Sequence, residues 1–552
     1  MLRIASEKSL SWLLSAGSFF ITVFVLAGTV SDPVNSTKFL ILGGVSIAAA
    51  FICFSSGWEV IKSRKLLIFT SVIFLFASIN SILSSESPIE QNLYGTYGRN
   101  TGFLTYLFLF LVLIASSTLS QKKSFVLIIG SLILSGIVNV IYCLYVLTFG
   151  DFIGWNNPYG NILGTFGNPN FIGAFLGFFT AAMIAFALSN GVSIRIRLLT
   201  LLITLISIFE IIRSHAIQGR VVLAAGLAIV GFYLIRSKFK STVTLVIYST
   251  GVFIVGLVSL LGALQIGPLT RFIYKTSVSL RGEYWQAGLN MAKDHLLTGV
   301  GFDAYGDWYR RARDSQALIL PGPETVTNAA HNVPIDVFAF GGVPLLIPYL
   351  MVVVMVVVAI ARHTNKNREY DGIFVALTTA WLGYQIQSII SINQIGLAIW
   401  GWLLGGAILA YTAKKQSVSK KATEQIFSPQ LIGSLGMVVG LIMACPPISA
   451  DAKFQSALKA AQVPSIESAL TSTYLTPTDT NRLLNAVQIF EQNKLFDLSY
   501  KYAKMATEFN PGHFDSWRAL SLINNSSPEE KIEAKKRMIL LDPLNKNLKN
   551  LP

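Results

Sequence analysis

The chain has 552 residues, 53% hydrophobic and only 13% charged, with a mean hydropathy of +0.57 and a formal charge of +15. Soluble domains carry about 25% charged residues, so the composition excludes a soluble protein and predicts an all-α, polytopic membrane protein. The basic residues stand in short clusters between apolar runs, which speaks for loop charges and against nucleic-acid binding.

Apolar runs of about 17–25 residues are long enough to cross a bilayer as helices. They are predicted over 11–30, 39–56, 66–83, 102–119, 124–149, 171–189, 198–212, 219–235, 243–266, 334–361, 372–392 and 396–413, with a weaker thirteenth over 429–446. Arg3 and Lys8 precede the first run and no small-residue cleavage site follows, so it reads as a membrane helix and not as a removed leader. With the N-terminus inside, the inner loops hold about 19 Lys and Arg, including Lys62, Lys414, Lys415, Lys420 and Lys421; the short outer loops hold about four, Lys38, Arg99, Arg213 and Arg220. The chain then divides into N-terminal membrane helices (1–266), one large extracytoplasmic loop (267–333), further membrane helices (334–450) and a C-terminal region (451–552) outside the cell membrane.

Cys53, Cys143 and Cys445 are scattered through apolar stretches, so they read as packing residues with neither disulfide nor metal spacing. The five histidines are not paired at metal-binding intervals, and no nucleotide-binding glycine loop or serine elbow occurs. Neither metal nor cofactor is expected. Chemistry outside the membrane has no cytosolic nucleotide to draw on, so a substrate there must carry its own activation, as a lipid-linked diphosphate does.

Two outer loops, 94–102 (with Arg99) and 155–170 (ending Asn168-Pro169-Asn170), are rich in glycine and asparagine. Amide and guanidinium donors beside aromatic rings suit sugars, although ordinary turn chemistry explains the same residues. Arg213 and Arg220 flank a short connector, either snorkelling to the interface or serving a site. In the large loop, Arg281 is placed to grip a phosphate or to anchor in headgroups. Trp285 reads as a sugar platform or an aromatic-belt residue. His331 stands at the mouth of the next membrane helix, either as a base near a substrate hydroxyl or as a helix-start residue, with Asn332 beside it. The C-terminal region is polar and helical in period, with Asn510-Pro511 and Asp542-Pro543 spaced about one repeat apart.

The run Arg281-Gly282-Glu283-Tyr284-Trp285, Gly299-Val300-Gly301-Phe302, His331-Asn332 and Gly341-Gly342, together with Phe166-Gly167-Asn168-Pro169-Asn170, resembles the signature of the O-antigen ligase and O-antigen polymerase superfamily. The resemblance spans most of residues 90–410. The C-terminal region resembles the tetratricopeptide-like extensions of some members. The resemblance implies a metal-independent glycosyltransferase of a bacterial inner membrane, working on the extracytoplasmic face. It implies a polyprenyl-diphosphate-linked glycan donor and a lipid or protein acceptor, with a possible protein partner at the helical extension. It assigns essential roles to His331 and Arg281. Where the family carries a further arginine, this chain reads Gln218, so Arg220 or Arg213 would stand in. Ligase, polymerase and non-enzymatic lipid-glycan transporter remain open at this stage.

Overall fold

The structure, a computed structural model, describes residues 2–55, 64–155, 157–274, 276–413 and 428–550. Lys62, Lys414, Lys415, Lys420 and Lys421 of the orientation argument, and Asn156 of the 155–170 loop, lie outside the described residues. Among the described residues the regular structure is helical and no strand forms.

Every predicted apolar segment is a helix. In chain order come α1 (Leu2–Val23), α2 (Asn35–Ser55), α3 (Lys65–Leu83), the short α4 (Ile89–Tyr94), α5 (Phe103–Ser117), α6 (Lys122–Phe149), α7 (Pro169–Ala187), α8 (Ile194–Arg213), α9 (Ile217–Lys238) and α10 (Thr242–Ala263). The large loop then builds α11 (Thr270–Ile273), α12 (Thr276–Asp294) and α13 (Tyr305–Ala312). The chain re-enters the bundle as α14 (Val333–Lys366), α15 (Gly372–Ile390), α16 (Ile395–Tyr411) and α17 (Pro429–Ala460). Among the described residues, nine helices are long and apolar enough to cross a membrane, and α5 and α16 are shorter apolar helices. Of the remaining two predicted segments, α1 carries Arg3, Glu7 and Lys8, and α8 carries Arg195, Arg197, Glu210 and Arg213.

The helices at the centre, α7 and α16, are buried along almost their whole lengths, with Phe175, Phe178, Phe179 and Trp400 inside. Lys38, expected in an outer loop, instead lies within α2 and has no exposed surface. Its Nζ donates to the carbonyls of Ile21 (2.8 Å) and Thr22 (2.7 Å). Those carbonyls end α1 and have no intrahelical partner, which explains both the buried cation and the stop of α1 at Val23, short of the predicted residue 30.

The last membrane helix does not stop at the membrane. α17 continues through Pro446-Pro447 to Ala460 and delivers the chain to a C-terminal group of helices: α18 (Val463–Leu470), α19 (Thr480–Gln492), α20 (Phe496–Phe509), α21 (Phe514–Leu522) and α22 (Pro528–Leu541). α19 packs on α20, and α21 on α22. α20 stops before Asn510-Pro511 and α22 before Asp542-Pro543, where Asn510 and Asp542 leave the helical backbone, as is favoured in the residue preceding a proline.

This C-terminal group is docked on the large loop. Asp542, fully buried, accepts from Arg313 Nη2 at 2.7 Å and from Arg310 Nη1 at 3.1 Å. Both arginines also donate to the Pro323 carbonyl at 2.9 Å, and Arg310 lies over the Phe514 ring. Asn510 donates to Asp307 at 3.1 Å.

Candidate functional site

The site is built around a break in α14. Gly342 adopts φ +63° and ψ −159°, which ends the first two turns of the helix. Val343 N–H then donates to the Leu296 carbonyl (2.9 Å) and not back to Ala339, while Pro344 has no N–H to give to Phe340. Two carbonyls are thereby freed. Ala339 accepts from Val300 N–H (2.9 Å) and Phe340 from Gly301 N–H (3.0 Å) and Ser81 Oγ (2.5 Å). The Gly299-Val300-Gly301 segment is thus pinned to the broken helix. A Cβ on Gly342 would collide with the Leu296 carbonyl. Gly342→Ala should therefore destabilise the fold by about 1–3 kcal/mol, the usual cost of backbone strain. A thermal melt in detergent that matches the parent protein would contradict this account of the break.

From this anchor the chain turns towards the N-terminal half. Phe302 N–H donates to Asn92 Oδ1 (2.8 Å). Asp303, at φ +54°, accepts at Oδ2 from Thr96 N–H (2.8 Å) and Thr101 Oγ1 (3.0 Å), and its carbonyl accepts from Thr96 Oγ1 and Gln91 Nε2. One carboxylate therefore shapes the whole 94–102 loop and fixes Arg99 within it. Burial raises the Asp303 carboxyl above its usual range, against the pull of those donors and of Arg99. Burial likewise lowers the Arg99 guanidinium, against the pull of Asp303 and Asp336.

His331 sits in the left-handed region at φ +58°, immediately before the cap of α14. Asn332 supplies that cap, its Oδ1 accepting from Ile335 N–H at 3.1 Å. Asp336 Oδ1 accepts from Ala330 N–H at 2.6 Å and closes the turn from the other side. The imidazole stacks on Tyr284 with ring centroids 5.6 Å apart. Arg281 lies three residues before Tyr284 in α12, hence on the same face. Gly288, one turn further along, lets α12 press against Ile335 and Ala330. The His331 pKa is pushed down to about 3, first by burial and then by the Arg99 and Arg281 charges. Burial also lowers Arg281. The group is thus a neutral imidazole within the electrostatic reach of two guanidiniums, a setting suited to an anion.

The remaining predicted residues divide. Arg99, with Arg281, is one of the two charges that act on His331. Asn168 caps α7, accepting from Asn170 N–H (2.9 Å) and donating to Tyr159 (3.1 Å); this is turn chemistry, with Asn170 as its donor. Trp285 packs on the core with its indole N–H unpartnered. Arg213 and Arg220 are exposed and are not among the charges acting on His331. Gln218, at the position of the family arginine, is buried and donates to the Ile390 carbonyl (2.9 Å), so it ties α9 to α15. Asp303 and Asp336 were missed by sequence reasoning. Asp336 carried a signal, being the one carboxylate inside the apolar run 334–361. Among the described residues no three His, Cys, Asp or Glu side chains gather as a metal site.

Residues 200–350 match a family model described as O-antigen ligase. A search of curated proteins finds no match. The matched stretch runs from α8 to the middle of α14. It contains Arg281, His331 and the glycine break, while Arg99 lies outside it. It supports a membrane glycosyl-transfer function in O-antigen or polysaccharide synthesis.

Proposed function

We propose that the protein transfers a glycan from a polyprenyl-diphosphate carrier to an acceptor hydroxyl, on the extracytoplasmic face of a bacterial inner membrane and without a metal ion. The observation that carries this reading is the pairing of a neutral histidine with two guanidiniums at the mouth of a membrane bundle. Arg281 and Arg99 hold the diphosphate. His331 takes the proton of the acceptor hydroxyl as its oxygen attacks the anomeric carbon. The glycosidic C–O bond to phosphate breaks and the electron pair leaves with the lipid diphosphate, whose developing charge the guanidiniums stabilise. Diphosphate is a good leaving group and needs no strong acid. A lipid or protein acceptor makes the enzyme a ligase; a second lipid-linked unit would make it a polymerase. The matched family description favours the ligase. Asn332 shapes the His331 turn, Trp285 offers the exposed part of its half-buried ring to the glycan, and a protein partner has the outward face of the C-terminal helices to bind.

Two measurements test this. Arg281→Ala should weaken donor binding and slow turnover together, and Arg281→Lys should restore little, because an ammonium cannot reproduce the two-pronged grip. Equal donor affinity in Arg281→Ala would remove the arginine from the diphosphate. In a cysteine-free background, Gln316→Cys should react with an impermeant maleimide in intact spheroplasts while Asn367→Cys should not, since both positions are exposed and the basic-loop asymmetry puts them on opposite sides. Reaction at Asn367 alone would invert the topology and end the extracytoplasmic reading.

A further inference from the structure

The C-terminal helices do more than rest on the large loop. Between them and the 94–97 segment lies a cavity of about 360 Å³. Its walls come from three separate parts of the chain. The 94–102 loop gives Tyr97, the large loop gives Asp307 and Asn328, and the C-terminal group gives Thr480, Asn481 and Asp515. A smaller cavity adjoins it, sharing Gln91, Tyr97, Asp479 and Thr480.

The lining is polar and has unspent hydrogen-bonding capacity. Thr480 is 6% exposed and its hydroxyl, itself closed to water, has no hydrogen-bond partner, so it meets a ligand by turning about χ1. The hydrogen bonds that Ser87, Gln91 and Asn510 give to Asp307 all land on Oδ2. Of the basic groups in the lining, Arg310 is already committed to Asp542 and Pro323, and His513 Nδ1 is paired with Ser516 Oγ at 3.1 Å. What remains for a ligand is carboxylate, amide and hydroxyl oxygen together with the Tyr97 and Phe514 rings. Acceptors and amides beside aromatic faces match a hydroxyl-rich ring compound, and the carboxylates repel an anionic one. The cavity also borders the site. Thr96 lines it and is held by Asp303, and Asn328 lies three residues before His331.

We propose that this cavity binds a non-acidic glycan segment, so that the C-terminal helices form one wall of a sugar subsite beside the transfer centre. The inference rests on the glycosyl-transfer reading for its ligand class. The sugar belongs either to the chain carried by the donor or to the acceptor.

The experiment uses the full-length protein in nanodiscs. Binding of neutral tetrasaccharides of glucose, galactose, mannose and N-acetylglucosamine is read by saturation-transfer NMR, with a glucuronate-containing tetrasaccharide as the anionic arm. At least one neutral probe should bind and the anionic one should not. Thr480→Val removes the unpartnered hydroxyl at constant shape, and Asn481→Trp fills the cavity from its exposed rim. Both should raise the dissociation constant fivefold or more while the melting temperature holds. If Thr480 takes no part in binding, Thr480→Val leaves the dissociation constant unchanged, and its fold is as stable as the parent's or more so. In a transfer assay, a rise in KM for long-chain donor alone assigns the subsite to the donor glycan, and a rise for acceptor alone assigns it to the acceptor. The proposal is overturned if no neutral probe binds, or if both variants bind as the parent does. Binding without transfer would leave the subsite standing and remove the transferase reading instead.

Discussion

Replacing His331 with alanine should slow glycan transfer by about 10²–10⁴-fold, the range that a positioned general base contributes, while donor binding changes little. The diphosphate is gripped by Arg281 and Arg99, and the imidazole adds no charge to that grip because it is neutral in the free protein. The same electrostatics set the pH dependence. The free-protein pKa is pushed down to about 3, so kcat/KM should show no inflection near 6.5 as the pH falls from 8 to 5. A bound diphosphate screens the two guanidiniums and adds negative charge of its own, so the imidazole becomes a stronger base only when donor is present. The inflection in kcat should accordingly lie at higher pH than that in kcat/KM. Wild-type rates in a well-folded His331→Ala protein, or coincident inflections near 6.5, would remove the histidine from the chemistry.

The second large effect concerns the docked C-terminal helices. Asp542 is the shared partner of Arg310 and Arg313, with side-chain exposures of 0%, 4% and 0%. Asp542→Ala leaves the buried Arg313 without a counter-charge and Arg310 with only Glu324 at 4.0 Å, and losing one member of such a pair costs about 3–5 kcal/mol. The expected result is a lower melting temperature and new proteolytic cleavage in the 471–478 turn between α18 and α19. Adding Arg310→Met and Arg313→Leu should recover much of the loss, because replacing the whole cluster by apolar groups is close to neutral. An unchanged melt and digestion pattern in Asp542→Ala would show that the helices are not held by this contact.

Much of the architecture was readable because lipid imposes one rule, helices of sufficient apolar length; all thirteen predicted segments are helical, and nine meet that rule in full among the described residues. Lys38 was misread as a loop residue because a cation in α2 is sensible only once the end of α1 is beside it. The site was legible in part. His331, Arg281 and the glycine pairs stand in one recognisable run, but Asp303 matters through its hydrogen bonds to Thr96 and Thr101, some 200 residues away in the chain. Arg99 is named for its loop composition, and only that carboxylate explains how its loop is held close enough for its charge to act on the histidine. Asn168 shows the reverse case, a polar residue in a sugar-like sequence whose side chain is occupied as a helix cap.

The unbroken α17 has a mechanical meaning. Its 32 residues make a rod of about 48 Å, rooted against α2 at one end and carrying α18 and its successors at the other. Each residue along such a rod adds about 100° of rotation at 3.6 residues per turn. The azimuth at which the C-terminal helices meet the large loop is therefore set by the length of α17, as the teeth of a key are set by the turn of its shaft. A chain that joined the two by a slack linker would have to find that docking by diffusion; this one arrives with its bearing already chosen.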